Sequence, residues 1–156
     1  MSFPNPSHDH RHCTEDLIAR AERLCGRRGA RLTPQRRDVL SCVAQSHAAT
    51  GAYELIDRMA GHGARPAPIT IYRALDFLLA HGLVHKIESR NAYVACSHPH
   101  EGKPAALLIC EGCGTVAELD APESFAALTR GAEEQGFRAS RTVVEMSGHC
   151  GHCAAS

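Results

Sequence analysis

The 156 residues suit one large domain or two small ones, and 44% hydrophobic content without a single Trp predicts real but mostly aliphatic cores. No apolar run is long enough to span a bilayer, and the opening MSFPNPSHDHRHC lacks a signal-peptide core; both point away from membrane and secreted classes and towards the cytoplasm. The zero net charge hides an asymmetry, with 13 Lys+Arg against 9 Asp+Glu in residues 1–94 and 4 against 8 in residues 95–156, so the first part is the one suited to a polyanion.

Residues 1–13 read as a disordered tail. Thr14 is placed to cap a first helix with Leu17, Ile18, Ala21, Leu24 and Cys25 on one face, closed by Gly26 and Gly29. Thr33-Pro34 starts a second helix as N-cap and N1 proline, with Val39, Leu40 and Val43 apolar. A third runs from about Ala52 to Met59, with Tyr53, Leu55, Ile56 and Met59 as its apolar residues. PITIYRALDFLLAHG forms a fourth, with Leu75, Leu78 and Leu79 inward and Gly82 as its stop. LVHKIESRNAYVAC reads as a hairpin turning at Arg90-Asn91. Short helices followed by a hairpin make the order of a winged helix-turn-helix, spanning 14–96.

SHPHEGKPA, 97–105, has no periodicity and reads as a hinge. Residues 106–156 form a smaller α/β unit, so the fold class is α+β. Strands at about 106–109 and 115–119 flank one CxxC. Asp120 and Glu123 suggest a capping box around Pro122, opening a helix that ends near Gly136. A strand at about 137–146 leads to a second CxxC.

The two motifs, Cys110-Glu-Gly-Cys113 and Cys150-Gly-His-Cys153, carry the strongest chemical signal. A CxxC turn aims two thiolates at one cation, and two such knuckles complete the tetrahedral S4 set that closed structural zinc sites use. A unit of about fifty residues buries little core, so a metal staple contributes stability directly. Two separate redox pairs or plain disulfides are the competing readings, and a reducing compartment favours metal.

RLTPQRRDVL, ITIYRALDFLLAHGLVHKIES, LICEGCGTVAE and GHCGHC together resemble the ferric uptake regulator family, over roughly residues 14–153. Within it they are most similar to the zinc uptake regulator branch, above all from Tyr72 to Tyr93. The resemblance implies a homodimeric repressor with an N-terminal winged helix and a C-terminal dimerisation domain. Loaded with zinc, such a dimer binds palindromic double-stranded DNA operators and silences zinc-uptake genes. It also implies a second, regulatory zinc per monomer at His85, Cys96, Glu118 and a hinge histidine. The hinge here is shorter than the closest pattern and offers His98 and His100, of which His100 is preferred. A hairpin turning at Arg90-Asn91 pairs residue 85 with 96, whose Cβ atoms then lie about 4.5–5.5 Å apart. A one-residue slip sends the two side chains to opposite faces. Apart from the resemblance, His85 reads as a surface wing histidine and Cys96 as a small buried residue. One thiolate among imidazoles and a carboxylate suits zinc better than ferrous iron.

The helix holding Ile69–Leu79 is the expected recognition helix, with Thr70, Tyr72 and Arg73 near its N-terminal end. Arg73 can read guanine through two hydrogen bonds, and Tyr72 can meet a thymine methyl or a phosphate. Arg31, Arg36 and Arg37 are phosphate-contact candidates. The arginine-rich stretch Arg20, Arg23, Arg27 and Arg28 reads equally as further phosphate contacts or as a solvated face. His8, His10, His12 and Cys13 form a metal-attracting tail, while Cys25 and Cys42 are core. His149 and His152 fill the second knuckle. No catalytic carboxylate pair, nucleophile elbow or phosphate-cradling loop is legible, so an enzyme is not expected. The competing functions are an iron, peroxide or nickel sensor of the same family, a CxxC thiol oxidoreductase, and a zinc-ribbon module that does not bind DNA.

Overall fold

Four helices with apolar stripes build the larger core. The computed structural model describes residues 3–5, 9–98 and 104–154. Helix α1 spans Arg11–Arg27, α2 Pro34–Val43, α3 Ala52–Ala60 and α4 Pro68–Ala80. Thr33 caps α2 by accepting the Arg36 N–H, with Pro34 at N1. Gly82 closes α4 at φ 66°, a left-handed conformation that glycine takes without a Cβ clash. Val39, Leu40, Val43, Leu55, Ile71, Leu75 and Leu78 are fully buried together. Each such aliphatic side chain contributes roughly 1.5–3 kcal/mol by leaving water. Cys25 and Cys42 are buried in these helices, as their spacing predicts. No described helix is long and apolar enough to cross a membrane.

Three local expectations are corrected here. Helix α1 takes in Arg11, His12 and Cys13, so its N-cap is His10, and Thr14 instead donates its hydroxyl to the His10 carbonyl. Gly26 lies inside that helix, and Gly29, at φ 63°, follows its end. Tyr53 is 63% exposed, because the buried stripe of α3 runs through Ala52, Leu55 and Ile56 and leaves residue 53 to one side.

The wing consists of β2 (Val84–Ile87) and β3 (Ala92–Ala95), joined in the sheet by a two-residue β1 (Thr50–Gly51) that is too short to read from sequence. The strand order is β1-β3-β2. Ile87 pairs with Ala92 and His85 with Val94, not with Cys96. The turn is four residues long: a 3-10 turn over Glu88–Arg90 followed by Asn91 at φ 47°. It uses two more residues than a turn at Arg90-Asn91 alone. A shift of two keeps the face, so His85 and Cys96 remain diagonal neighbours on one side.

Beyond residue 103, β4 (Ala106–Cys110) pairs antiparallel with β5 (Val116–Leu119). Helix α5 (Pro122–Glu134) then carries the chain over to β6 (Glu145–Gly148), which lies parallel to β4. A last turn, α6, covers Gly151–Ala154. The sheet order is β5-β4-β6. Pro122 at N1 places the α5 cap at Ala121, one residue after Asp120, so the expected capping box does not form. The expected strand over 137–146 shortens to β6, the stretch that pairs with β4.

The wing is seated on this second sheet. Ile87 and Val94 pack with Leu107, Ile109 and Val116 in a separate buried cluster. Ala48 and Thr115 form an isolated antiparallel bridge, and the Val116 N–H donates to the His47 carbonyl at 2.8 Å. The Glu145 carboxylate accepts the Glu88 and Ser89 N–H groups of the wing turn at 2.6 and 3.1 Å, and Arg141 pairs with Glu88. Burial opposes ionisation of Glu145, but the bonds from Ser89 and Glu88 outweigh it and hold its carboxyl below the ordinary value. This stabilisation is therefore present above the ordinary carboxylate range and is lost as pH falls through the lowered value. Glu145→Ala should raise amide exchange at Glu88 and Ser89 about tenfold, as the loss of about 1.4 kcal/mol of local protection implies, while core amides of α2 and α4 stay unchanged.

Candidate metal centres and nucleic-acid interface

The two CxxC turns meet. Cys110 ends β4, Cys113 lies in the β4–β5 turn, and Cys150 and Cys153 flank and enter α6. Their four sulfurs lie within 4.8 Å of one another, and the Cys113 and Cys150 Sγ atoms are 3.8 Å apart. A tetrahedron with Zn–S bonds of about 2.3 Å has sulfur–sulfur edges of about 3.8 Å, so the Cys113–Cys150 edge matches that spacing and the other sulfurs lie near it. Backbone N–H groups of Cys113 and Cys150 lower the Cys110 thiol to about 5, and the Thr115 side chain helps lower Cys113. Hydrogen bonding to the Cys150, Cys110 and Cys113 sulfurs raises Cys153 to about 12. Four sulfurs this close do not all ionise unless a cation joins them. The turn is tight at Gly112, where a Cβ would sit 3.0 Å from the Cys153 Sγ and press on that side chain.

A second donor group joins the wing to the C-terminal sheet. His85 of β2, Cys96 just beyond β3 and Glu118 of β5 bring a nitrogen, a sulfur and an oxygen within 4.8 Å of one another. The Glu118 side chain is 4% exposed, with Oε1 3.4 Å from the His85 Nε2 and 2.6 Å from the Ser97 N–H. The Cys96 Sγ is 3.9 Å from the Glu118 Oε2 and donates to the His98 carbonyl at 2.7 Å. Burial, then the neighbouring Glu118 carboxylate, pushes the Cys96 thiol up to about 12. A buried carboxylate facing a thiol and an imidazole is a costly arrangement that a divalent cation relieves. His98 places its Nδ1 4.0 Å from the Glu118 Oε2 and is 59% exposed. His100 lies outside the described residues.

Helix α4 presents Arg73 to solvent, with Thr70 and Tyr72 half-buried beside it. Ile69, at the same end, is 59% exposed. The α2 arginines are engaged within the chain. The Arg36 guanidinium lies 3.7 Å over the Phe77 ring and donates to the Arg31 carbonyl at 2.6 Å, while Arg37 pairs with Glu22. Arg31 is exposed. In the tail, the His10 and His47 rings touch at 4.6 Å between centroids, His12 lies 3.8 Å from Glu15, and Cys13 is exposed. His8 lies outside the described residues. The contacts that sequence reasoning missed are made by backbone groups or by residues remote in sequence, as at Arg20, Glu145 and Ser97.

A winged helix seated on a small sheet, with one sulfur cluster and one mixed donor group across the junction, defines the class of metal-dependent DNA-binding regulators. The chain belongs to the ferric uptake regulator family, whose profile it matches over residues 27–147. It is 40% identical to the zinc uptake regulation protein of Escherichia coli over 141 residues, covering 90% of this chain and 82% of that one. Its structure is similar to that of a zinc uptake regulator complexed with zinc and DNA, with TM-score 0.84 at 40% identity, covering 91% of this chain and 95% of that one. Against holo XcZur the TM-score is 0.83 at 41% identity, covering 90% and 99%; against apo XcZur it falls to 0.54 at 39% identity, covering 92% and 99%.

Gly112→Ala should displace Cys153 from the other three sulfurs. The purified variant should lose metal from the cysteine cluster to a chelator faster than wild type, measured by elemental analysis with thiol counting.

Proposed function

We propose that the chain is a zinc-responsive, sequence-specific repressor of zinc-uptake genes, acting in the cytoplasm as a zinc-loaded homodimer on a palindromic operator. The observation that carries this reading is the placement of His85, Cys96 and Glu118 across the wing and the C-terminal sheet, in a chain whose overall structure is similar to the zinc- and DNA-bound relative and to holo XcZur. The much lower similarity to the apo form, at nearly the same identity, supports a metal-linked rearrangement of the family fold.

Two zinc ions per monomer take different roles. Cys110, Cys113, Cys150 and Cys153 hold the structural ion and leave no open position for water or substrate. His85, Cys96, Glu118 and a hinge histidine, His100 or else His98, hold the regulatory one. Bound zinc supplies a positive centre that draws donors from both parts of the chain together. The protein does the rest: β2 and β3 carry His85 and Cys96 with the wing, while β5 keeps Glu118 buried on the other side. Closure then fixes the orientation of α4, and a dimer presents two such helices at operator spacing. The thiolate favours zinc over ferrous iron, and convergence of both CxxC pairs into one cluster argues against two independent redox pairs.

Thr70, Tyr72 and Arg73 form the base-reading end of α4, and the exposed Arg31 is a phosphate contact. Arg36 and Arg37 reach phosphate only by leaving Phe77 and Glu22. The dimer face falls on the C-terminal part, where Leu119, Leu128, Phe137, Val143 and Met146 are exposed. That much unpaired apolar surface fits a second copy of the chain.

Fluorescence anisotropy on a palindromic site tests this. Zinc should tighten binding at least a hundredfold over chelator, with strong salt dependence; no zinc effect on any such site would sink the reading. His85→Ala should abolish the zinc response while preserving the cysteine-cluster zinc. Arg73→Ala should cost about 1–3 kcal/mol of discrimination. Because the Cys96 thiol is raised to about 12, it is protonated near neutrality and must release a proton to bind metal. Zinc affinity at the regulatory site should therefore rise about tenfold per pH unit between pH 6 and 8, read by competition with a chelator.

A further inference from the structure

Arg20 lies on α1, well away in sequence from the mixed donor group. Its guanidinium nevertheless donates to the Ser97 carbonyl at 3.2 Å and also to the Cys96 carbonyl. These carbonyls stand where β3 ends: the Cys96 N–H still bonds to the Leu83 carbonyl at 3.0 Å, extending the wing pairing by one residue. On the other side, the Ser97 N–H donates to the buried Glu118 Oε1 at 2.6 Å. The peptide at residues 96–97 is therefore gripped from two directions, by a cation on its carbonyls and by a carboxylate on its amide.

We infer that Arg20 is a positioning residue of the His85–Cys96–Glu118 site, orienting the Cys96 thiol and delivering the Ser97 amide to Glu118. The inference rests on the reading of that trio as the regulatory metal site. The Leu83 carbonyl holds the Cys96 N–H, while Arg20 holds the carbonyls that follow it; rotation about residue 96 without that second hold would move the Cys96 sulfur relative to His85 and Glu118. The planar guanidinium suits this task because its fork can serve two consecutive carbonyls, whereas an ammonium is a compact point charge. The same contact ties α1 to the donor group, so the first helix of the winged helix takes part in closure through Arg20 rather than through bulk packing alone. Outer partners that orient metal ligands are commonly worth about 10–100-fold in metal affinity, and Arg20 belongs in that range.

Cobalt(II) titration of the full chain with its structural zinc in place tests the inference, read by the thiolate-to-cobalt charge-transfer band and by chelator competition. Arg20→Gln should weaken cobalt and zinc binding at the second site at least about tenfold. Zinc at the four cysteines and the thermal midpoint should stay at their wild-type values. Arg20→Lys, which keeps the charge but not the fork, should fall between wild type and Arg20→Gln and serves as the test if the glutamine variant does not fold. Affinity of the testable variant within about twofold of wild type overturns the inference, as does a parallel loss of both metals and of thermal stability, which marks a merely structural arginine. A wild-type chain that shows no second metal, or one unaffected by Cys96→Ser, overturns the reading of the trio instead and is distinguished by that control.

Discussion

The Glu118 carboxylate is the constraint on which the arrangement of the two sheets turns. It is buried at the junction, faces the His85 ring and the Cys96 sulfur, and accepts the Ser97 amide. A carboxylate in that position is costly unless opposite charge or hydrogen bonds compensate it. The Ser97 amide, the Cys96 thiol and the His85 and His98 rings lie against it, and a divalent cation would compensate the charge more directly. A metal held there, as proposed, would couple its presence to the relative placement of wing and C-terminal sheet.

The cysteine cluster serves a different need. The C-terminal elements bury few side chains of their own, with Phe125 the only buried residue of α5. A zinc ion joining the end of β4 to α6 through the four sulfurs, as proposed, would hold together a unit too small to rely on core alone. The knuckle also makes contact across the junction. Thr115, two residues after Cys113, bridges to Ala48, and Val116 bonds to His47. The first CxxC turn thus supports the loop between α2 and α3, while Glu145 and Arg141 support the wing turn. These contacts prealign the junction, so under the proposed function a metal held by His85, Cys96 and Glu118 would bias an existing equilibrium rather than assemble the two parts.

How much of this was legible in the sequence depends on how local the determining interactions are. Thr33-Pro34, Gly82 and the CxxC turns act within a few residues, and their structures follow from their chemistry. The hairpin was half legible: parity placed His85 and Cys96 on one face, but the register depended on a 3-10 turn and a left-handed Asn91 that composition does not announce. Arg36 and Arg37 looked like phosphate contacts because of their place in α2. Only the tertiary fold reveals that Phe77 and Glu22 engage them. Glu118 entered through family resemblance, since a lone glutamate in a short strand carries no signal. Arg20 and Glu145 were illegible for a simpler reason: their partners are backbone groups far along the chain, which no side-chain pattern encodes.

The central claim is that one ion bridges the wing and the C-terminal sheet. Anomalous diffraction at the zinc edge, from crystals of the zinc-loaded chain, measures this most directly. The account predicts two peaks per monomer, one amid the four cysteines and one within bonding distance of His85, Cys96 and Glu118. A single peak at the cysteines, or a second peak away from Glu118 such as beside His10 and His47, would contradict it.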